Sequence, residues 1–257
     1  MMLIRKTIII VTILLFIGTG IIPAIAQNAE KPLPTSRGNW LYVGGSGPGN
    51  YTRIQDAIDA SHEGDIIFVY ATSSPYDECL VVNKTINTQL IGENRNTTVI
   101  DGQQRPYDVI TVQKSGTCIS GFSIVNNSLN YTCVLMNYTS DCVLKENNFQ
   151  TLHGKADTIL NSRSVTIKKN SFDISIADDS IDCIYLFNSS LCCVYQNDIR
   201  NEKQLMNNIC QGIVIEKCEK TTIISNNISF VRNGIVISGD TILISQNTIT
   251  DTIVGLA

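Results

Sequence analysis

Val165-Thr166-Ile167-Lys168-Lys169-Asn170-Ser171-Phe172 alternates apolar and polar side chains, then sets an Asn two residues before a large apolar residue. The same pattern recurs as Cys142-x-Leu144-x-x-Asn147-x-Phe149, Cys192-x-Val194-x-x-Asn197-x-Ile199, Thr221-x-Ile223-x-x-Asn226-x-Ile228 and Ile242-x-Ile244-x-x-Asn247-x-Ile249. An earlier variant, Thr117-x-Ile119-x-x-Phe122-x-Ile124, puts Phe in the Asn slot, and successive slots lie 25, 23, 27, 29 and 21 residues apart. A second short apolar run precedes each later copy, as in Val134-Leu135-Met136, Ile159-Leu160, Ile184-Tyr185-Leu186, Ile213-Val214-Ile215 and Ile235-Val236-Ile237. A period of this length built from short strands, with no Leu-rich consensus, predicts a parallel β-helix in which each period makes one coil. Alternation then turns Val165, Ile167 and Phe172 inward and Thr166 and Lys168 outward. The Asn of each copy is expected to sit at the bend in a left-handed conformation, its amide stacked from coil to coil as a ladder of Asn147, Asn170, Asn197, Asn226 and Asn247.

Composition agrees with an all-β chain. Among 257 residues there are 38 Ile and 24 Asn, a β-branched strand former and a turn former. Only 16% of residues are charged, against roughly 25% in ordinary soluble proteins, which disfavours a disordered chain or a solvated helical bundle. A net charge of −4 with no basic stripe argues against nucleic acid as a partner.

The amino terminus reads as a targeting segment. Arg5 and Lys6 precede an uncharged run from Thr7 to Ala26, which ends in Pro23-Ala24-Ile25-Ala26. That is the layout of a secretory signal peptide cut before Gln27; an uncleaved membrane anchor is the competing reading, and the only route to a membrane. Eight Asn-x-Ser/Thr triplets, at Asn50, Asn83, Asn96, Asn126, Asn130, Asn137, Asn188 and Asn227, are candidate glycosylation sites on an exported chain. Residues 27–64 read as a linker and an amino-terminal cap: Thr52-Arg53-Ile54-Gln55 matches a capping box, and Ile54, Ala57 and Ile58 form one apolar helix face. Residues 65–257 are then the solenoid, about eight coils without a carboxy-terminal cap; the expectation is either a piece of a longer surface protein or an open end that self-associates end to end.

The run Tyr51-Thr52-Arg53-Ile54-Gln55-Asp56-Ala57-Ile58, with Gly64-Asp65-Ile66-Ile67-Phe68-Val69, Leu90-Ile91-Gly92-Glu93 and Ile119-Ser120-Gly121-Phe122, resembles secreted right-handed, single-stranded β-helix proteins of the NosD-like kind. The resemblance covers about residues 40–257. It implies a right-handed helix and an archaeal-type cell-surface scaffold or binding module, with carbohydrate as the candidate partner. A copper-handling accessory role is implied by the family name alone. Pectin methylesterases and polygalacturonases use related scaffolds. The methylesterase segments Asp-Phe-Ile-Phe-Gly and Gly-Arg-Pro-Trp are absent, and Asp178-Asp179 follows His153-Gly154 in the wrong order for a polygalacturonase.

One acidic constellation invites chemistry. Aligning Asp157-Thr158-Ile159 with Asp182-Cys183-Ile184 places two carboxylates in one slot of adjacent coils, roughly 5–6 Å apart, with Asp178, Asp179 and His153 beside them. Asp157, Asp178, Asp179 and Asp182 form a candidate Ca²⁺ site, and Asp157 with Asp182 a candidate acid–base pair for a polysaccharide lyase or hydrolase. The plain alternative is a set of solvated turn residues. Nine cysteines occur without a C-x-x-C; Cys142 and Cys192 share one inward slot and Cys133 and Cys183 another, two coils apart in each case, too far to bridge directly. Tyr185 and Tyr195 point outward on different strands and, with Trp40, make no evident platform.

Overall fold

The computed structural model describes residues 38–150, 155–174, 181–201 and 210–257. Short strands three to ten residues long stack into three parallel sheets. Sheet A has nine strands, from Trp40–Val43 to Leu243–Ser245; sheet B has seven, from Val99–Asp101 to Thr248–Thr250; sheet C has eight, from Leu80–Val82 to Val254–Leu256. Neighbours within each sheet are one coil apart in sequence, so the chain is a parallel β-helix of about eight coils.

Alternation dictates which side chains fill the core. In sheet A the inward column runs through Leu90, Ile119, Leu144, Ile167, Val194 and Ile223, all buried. In sheet B, Ile124, Phe149, Phe172, Ile199 and Ile228 share one slot, and Phe149 stacks on Phe172 at 4.7 Å with planes 5° apart. Burying each such side chain contributes about 1.5–3 kcal/mol, which suffices for three-residue strands whose pairing alone is weak. Cys142, Val165 and Cys192 are buried in one column, and all nine thiols are unpaired.

The corner between sheets A and B explains the recurrent Asn. The backbone N–H of Asn147 donates to Oδ1 of Asn170 at 3.0 Å, and the same bond links Asn170 to Asn197, Asn197 to Asn226 and Asn226 to Asn247. Each Nδ2 donates backwards to a carbonyl of the preceding coil, at Ile119, Leu144, Ile167, Val194 and Ile223 in turn. Phe122, which stands in the Asn slot, gives its N–H to Asn147 Oδ1. The left-handed residue is, however, not the Asn but its predecessor: Glu146, Lys169, Gln196, Ser225 and Gln246 have φ of 55–56°. The bend falls on the residue whose side chain faces solvent, which leaves the Asn amide free to enter the corner and serve as a buried connector.

The first coil also departs from expectation. Strand β1, Trp40–Val43, pairs with β2, Ile66–Val69, so the solenoid starts inside the stretch read as a linker. Helix α1, Ile54–Ala60, lies between them and buries Ile54, Ala57 and Ile58. Thr52 does not cap it. Arg53 is the N-cap and makes no side-chain cap bond; the Glu78 carboxylate, from the next coil, instead accepts the N–H groups of Ile54 at 2.8 Å and Gln55 at 3.1 Å. Gln55 docks the helix further by bonding the Val81 backbone through both amide atoms. No described helix is long and apolar enough to cross a membrane.

Candidate functional site on the outer face of sheet C

Sheet C lines up a buried to half-buried polar column at the start of its strands. Glu78, Asp108, Thr132, Lys155, Asp182, Gln211 and Asn233 occupy it in successive coils, with Asp182 registered on Gln211 and Gln211 on Asn233. Lys155 Nζ lies 3.2 Å from an Asp182 oxygen and 3.6 Å above the Tyr185 ring. Gln211 Nε2 donates to the other Asp182 oxygen at 2.9 Å, and Asn233 Nδ2 donates to Gln211 at 3.1 Å. Tyr185 gives its hydroxyl to Glu216 at 2.9 Å, and burial together with that acceptor pushes its pKa up to about 12. The result is a hydrogen-bonded chain running along the solenoid axis, with the ammonium held between a carboxylate and an aromatic face.

Beside it lies an open cleft made of two adjoining cavities of about 480 and 410 Å³ that share Asp108 and Tyr131. Arg105 and Tyr107 line one part, Leu135 and Lys155 the other. Arg105 is held by the Asp77 carbonyl at 2.8 Å and by Gln103 at 3.0 Å, while Tyr107 is 64% exposed. Burial raises the Asp108 carboxyl above its ordinary range, and hydrogen bonds from the Thr132 N–H and from Thr111 oppose that rise. Such a trough, lined by hydroxyls, two phenols, one ammonium, the guanidiniums of Arg53 and Arg105 and the carboxylates of Asp77, Glu78 and Asp108, suits an extended hydrophilic chain with apolar faces.

The structure separates the two carboxylates expected to stack. Asp157 is registered on Ile184 and on Val134, so it takes a core slot, whereas Asp182 stands two positions earlier, nearly buried and paired with Lys155. The two Asp-x-Ile triplets match in letters, but Ile159 pairs with Leu186, and a slip of two residues preserves alternation and leaves no trace in the pattern. Asp157 is fully buried and neither carboxylate oxygen has a hydrogen-bond partner among the described residues. Burial therefore drives its pKa well above the carboxylate range, and the same desolvation raises the thiols of Cys133 and Cys183. A sealed, neutral acid neither binds Ca²⁺ with Asp182 nor reaches a substrate. Asp178, Asp179 and His153 lie outside the described residues. Among the described residues no three His, Cys, Asp or Glu side chains gather to hold a metal ion.

Of the glycosylation candidates, Asn83, Asn96, Asn130, Asn188 and Asn227 are exposed, and Asn50, Asn126 and Asn137 are half-buried. Several amides are engaged: Asn126 with Asp101, Asn227 with Asp198, and Asn137 and Asn188 on either side of Asn161. Tyr195 lies on sheet A under Lys168, on a different face from Tyr185. Sequence reasoning missed Asp108, Tyr131, Lys155 and Gln211. The signal was present, since framing the coils on Ile159 and Leu186 would have set Lys155 against Asp182.

No family model matches the chain. The probable pectinesterase/pectinesterase inhibitor 6 of Arabidopsis thaliana is 28% identical over 97 residues, which is 35% of this chain; the match spans only 18% of that longer protein. Pectin methylesterase from carrot superposes with a TM-score of 0.55 at 12% identity, covering 82% of each chain. The A-module of mannuronan C-5 epimerase AlgE4 from Azotobacter vinelandii aligns over 79% of this chain and 92% of its own, with a TM-score of 0.25 and 13% identity. The carrot enzyme shows the fold, a pectin methylesterase-like right-handed parallel β-helix.

Proposed function

We propose that this chain is an exported β-helix protein that binds a polysaccharide along the outer face of sheet C, a pectin-like polymer being the ligand class. The observation that carries the reading is the cleft itself: Tyr107 and Tyr131 offer ring faces, Arg105 and Lys155 offer donors to hydroxyl or carboxylate groups, and the trough follows the solenoid axis. Both pectin-named relatives support the ligand class. Binding is favoured over turnover because Asp157 is sealed in the core and Asp182 is occupied by Lys155 and Gln211. The leader-like segment before Gln27 supports export, which the mass of the secreted chain checks directly.

Affinity electrophoresis through gels containing pectin or polygalacturonate tests the reading. Wild-type chain is expected to be retarded, and Tyr131→Ala or Lys155→Ala to lose about fivefold or more in affinity, the effect of one contact worth about 1 kcal/mol. Equal mobility with and without polymer overturns it. Release of methanol, reducing ends or unsaturated sugar in the same incubation would instead make the protein a polysaccharide-acting enzyme.

A further inference from the structure

The only tryptophan of the chain, Trp40, is 51% exposed, and it is not alone. Alternation in β1 and β2 turns Leu41, Val43, Ile67 and Val69 inward, so Trp40, Tyr42 and Phe68 stand on the outer face of sheet A, where Tyr70 follows β2. Trp40 and Tyr42 lie 6.1 Å apart with planes at 22°, Tyr42 and Tyr70 6.0 Å apart at 23°, and Phe68 packs edge-on against both tyrosines. Trp40 and Tyr42, two residues apart on one strand, meet Phe68 and Tyr70 across the coil boundary, so the cluster exists only once β1 joins the solenoid.

We infer that this aromatic face is a second carbohydrate site, separate from the sheet C cleft, and that it takes neutral pyranose chains. An exposed aromatic patch of this kind marks a binding surface. Its polar tips select the occupant: the Trp40 indole N–H and the Tyr42 and Tyr70 hydroxyls make no hydrogen bond to a described residue, so an acyl tail or an apolar protein face would cover them without partners. A pyranose presents a C–H face to the rings and hydroxyls at the rim, and so meets both. Charge selects further. Trp40–Val43, Ile66–Val69 and Gln89–Gly92, the first three strands of sheet A, carry no Lys or Arg, and Glu93 at the rim is turned to the Ala71 N–H at 2.8 Å. An acidic polymer or an anionic membrane finds no counter-charge there, while the cleft on sheet C has Arg105 and Lys155.

The full chain tests this, because the emission of its single tryptophan reports on this patch alone. Soluble glucomannan and hydroxyethyl cellulose are expected to shift or quench that emission and to retard the chain in gels. Trp40→Ala combined with Tyr42→Ala should weaken the retardation at least tenfold while leaving binding of polygalacturonate unchanged; Lys155→Ala should do the reverse, so the two sites fail separately. Should the double variant melt early, Trp40→Gln at the same half-open edge position gives the reading by mobility. Neutral polymers that alter neither emission nor mobility overturn the inference. So does retardation that survives the substitutions, or a patch that instead binds phosphatidylcholine vesicles or a second copy of the chain, seen by flotation and sedimentation.

Discussion

Asp157 shows how far one side chain can stand from its neighbours. Its column reads Ile110, Val134, Asp157, Ile184, Ile213 and Ile235, and the carboxyl finds no partner among the described residues. A folded chain keeps it protonated, and an unfolded chain ionises it near the ordinary carboxylate pKa. The folded pKa is the higher one, so its penalty is absent below the unfolded value and grows as pH rises toward the folded value. Asp157→Val should therefore raise stability at neutral pH by about 1–3 kcal/mol, the cost of burying an unsatisfied polar group. It should also flatten the fall in melting temperature between acidic and neutral pH, which paired thermal melts measure. Asn170 is the opposite case, a buried polar group fully used. Asn170→Ala orphans the Asn147 N–H and the Leu144 carbonyl and should cost about 1–3 kcal/mol. Asn247→Ala, at the half-exposed end of the same ladder, should cost less in the same urea titration.

Helix α1 is held by a partner that local pattern does not reveal. A seven-residue helix is not stable by propensity and needs both its apolar face and its cap. Glu78 supplies the cap from 24 residues away, and Arg53 lies 3.7 Å from the same carboxylate. Glu78→Ala leaves two helix N–H groups without an acceptor, and loss of a cap costs about 0.5–2 kcal/mol. The expected outcome is a lower melting temperature with faster amide exchange confined to Ile54–Ala60, whereas Thr52→Ala, at the position of the apparent capping box, should change neither. The aromatic face obeys the same logic, since its two halves are 26 residues apart and meet only through the pairing of β1 with β2.

The fold was legible because five copies keep Asn at one offset from inward apolar residues, and a solenoid repeats that requirement in every coil. The sites were less legible for two physical reasons. Parallel pairing tolerates a two-residue slip without changing which face is apolar, so Asp157 and Asp182 looked stacked when Lys155 is the true neighbour of Asp182. The bend also needs a left-handed residue and a buried amide at consecutive positions, and composition cannot say which position supplies which; Lys169 takes the bend and Asn170 the bond. The same one-dimensional architecture makes a prediction about stability. Strand pairing joins each coil only to its neighbours, although the turn at Arg95 and Asn96 reaches further, to Asn148 and Lys169, so opening should propagate inward from a weak coil rather than occur at once everywhere. The inward residues Ile167, Phe172 and Val194 of the central coils are fully covered, whereas Ile244 and Ile249 of the last described coil are only half-buried and Leu243 and Leu256 are exposed. Hydrogen exchange followed by mass spectrometry should find strong protection across Val143–Tyr195, falling stepwise through Thr222–Ser229 to Leu243–Leu256. Uniform protection along the solenoid would show instead that the coils open as one cooperative unit, with the Asn ladder coupling them more tightly than nearest-neighbour packing implies.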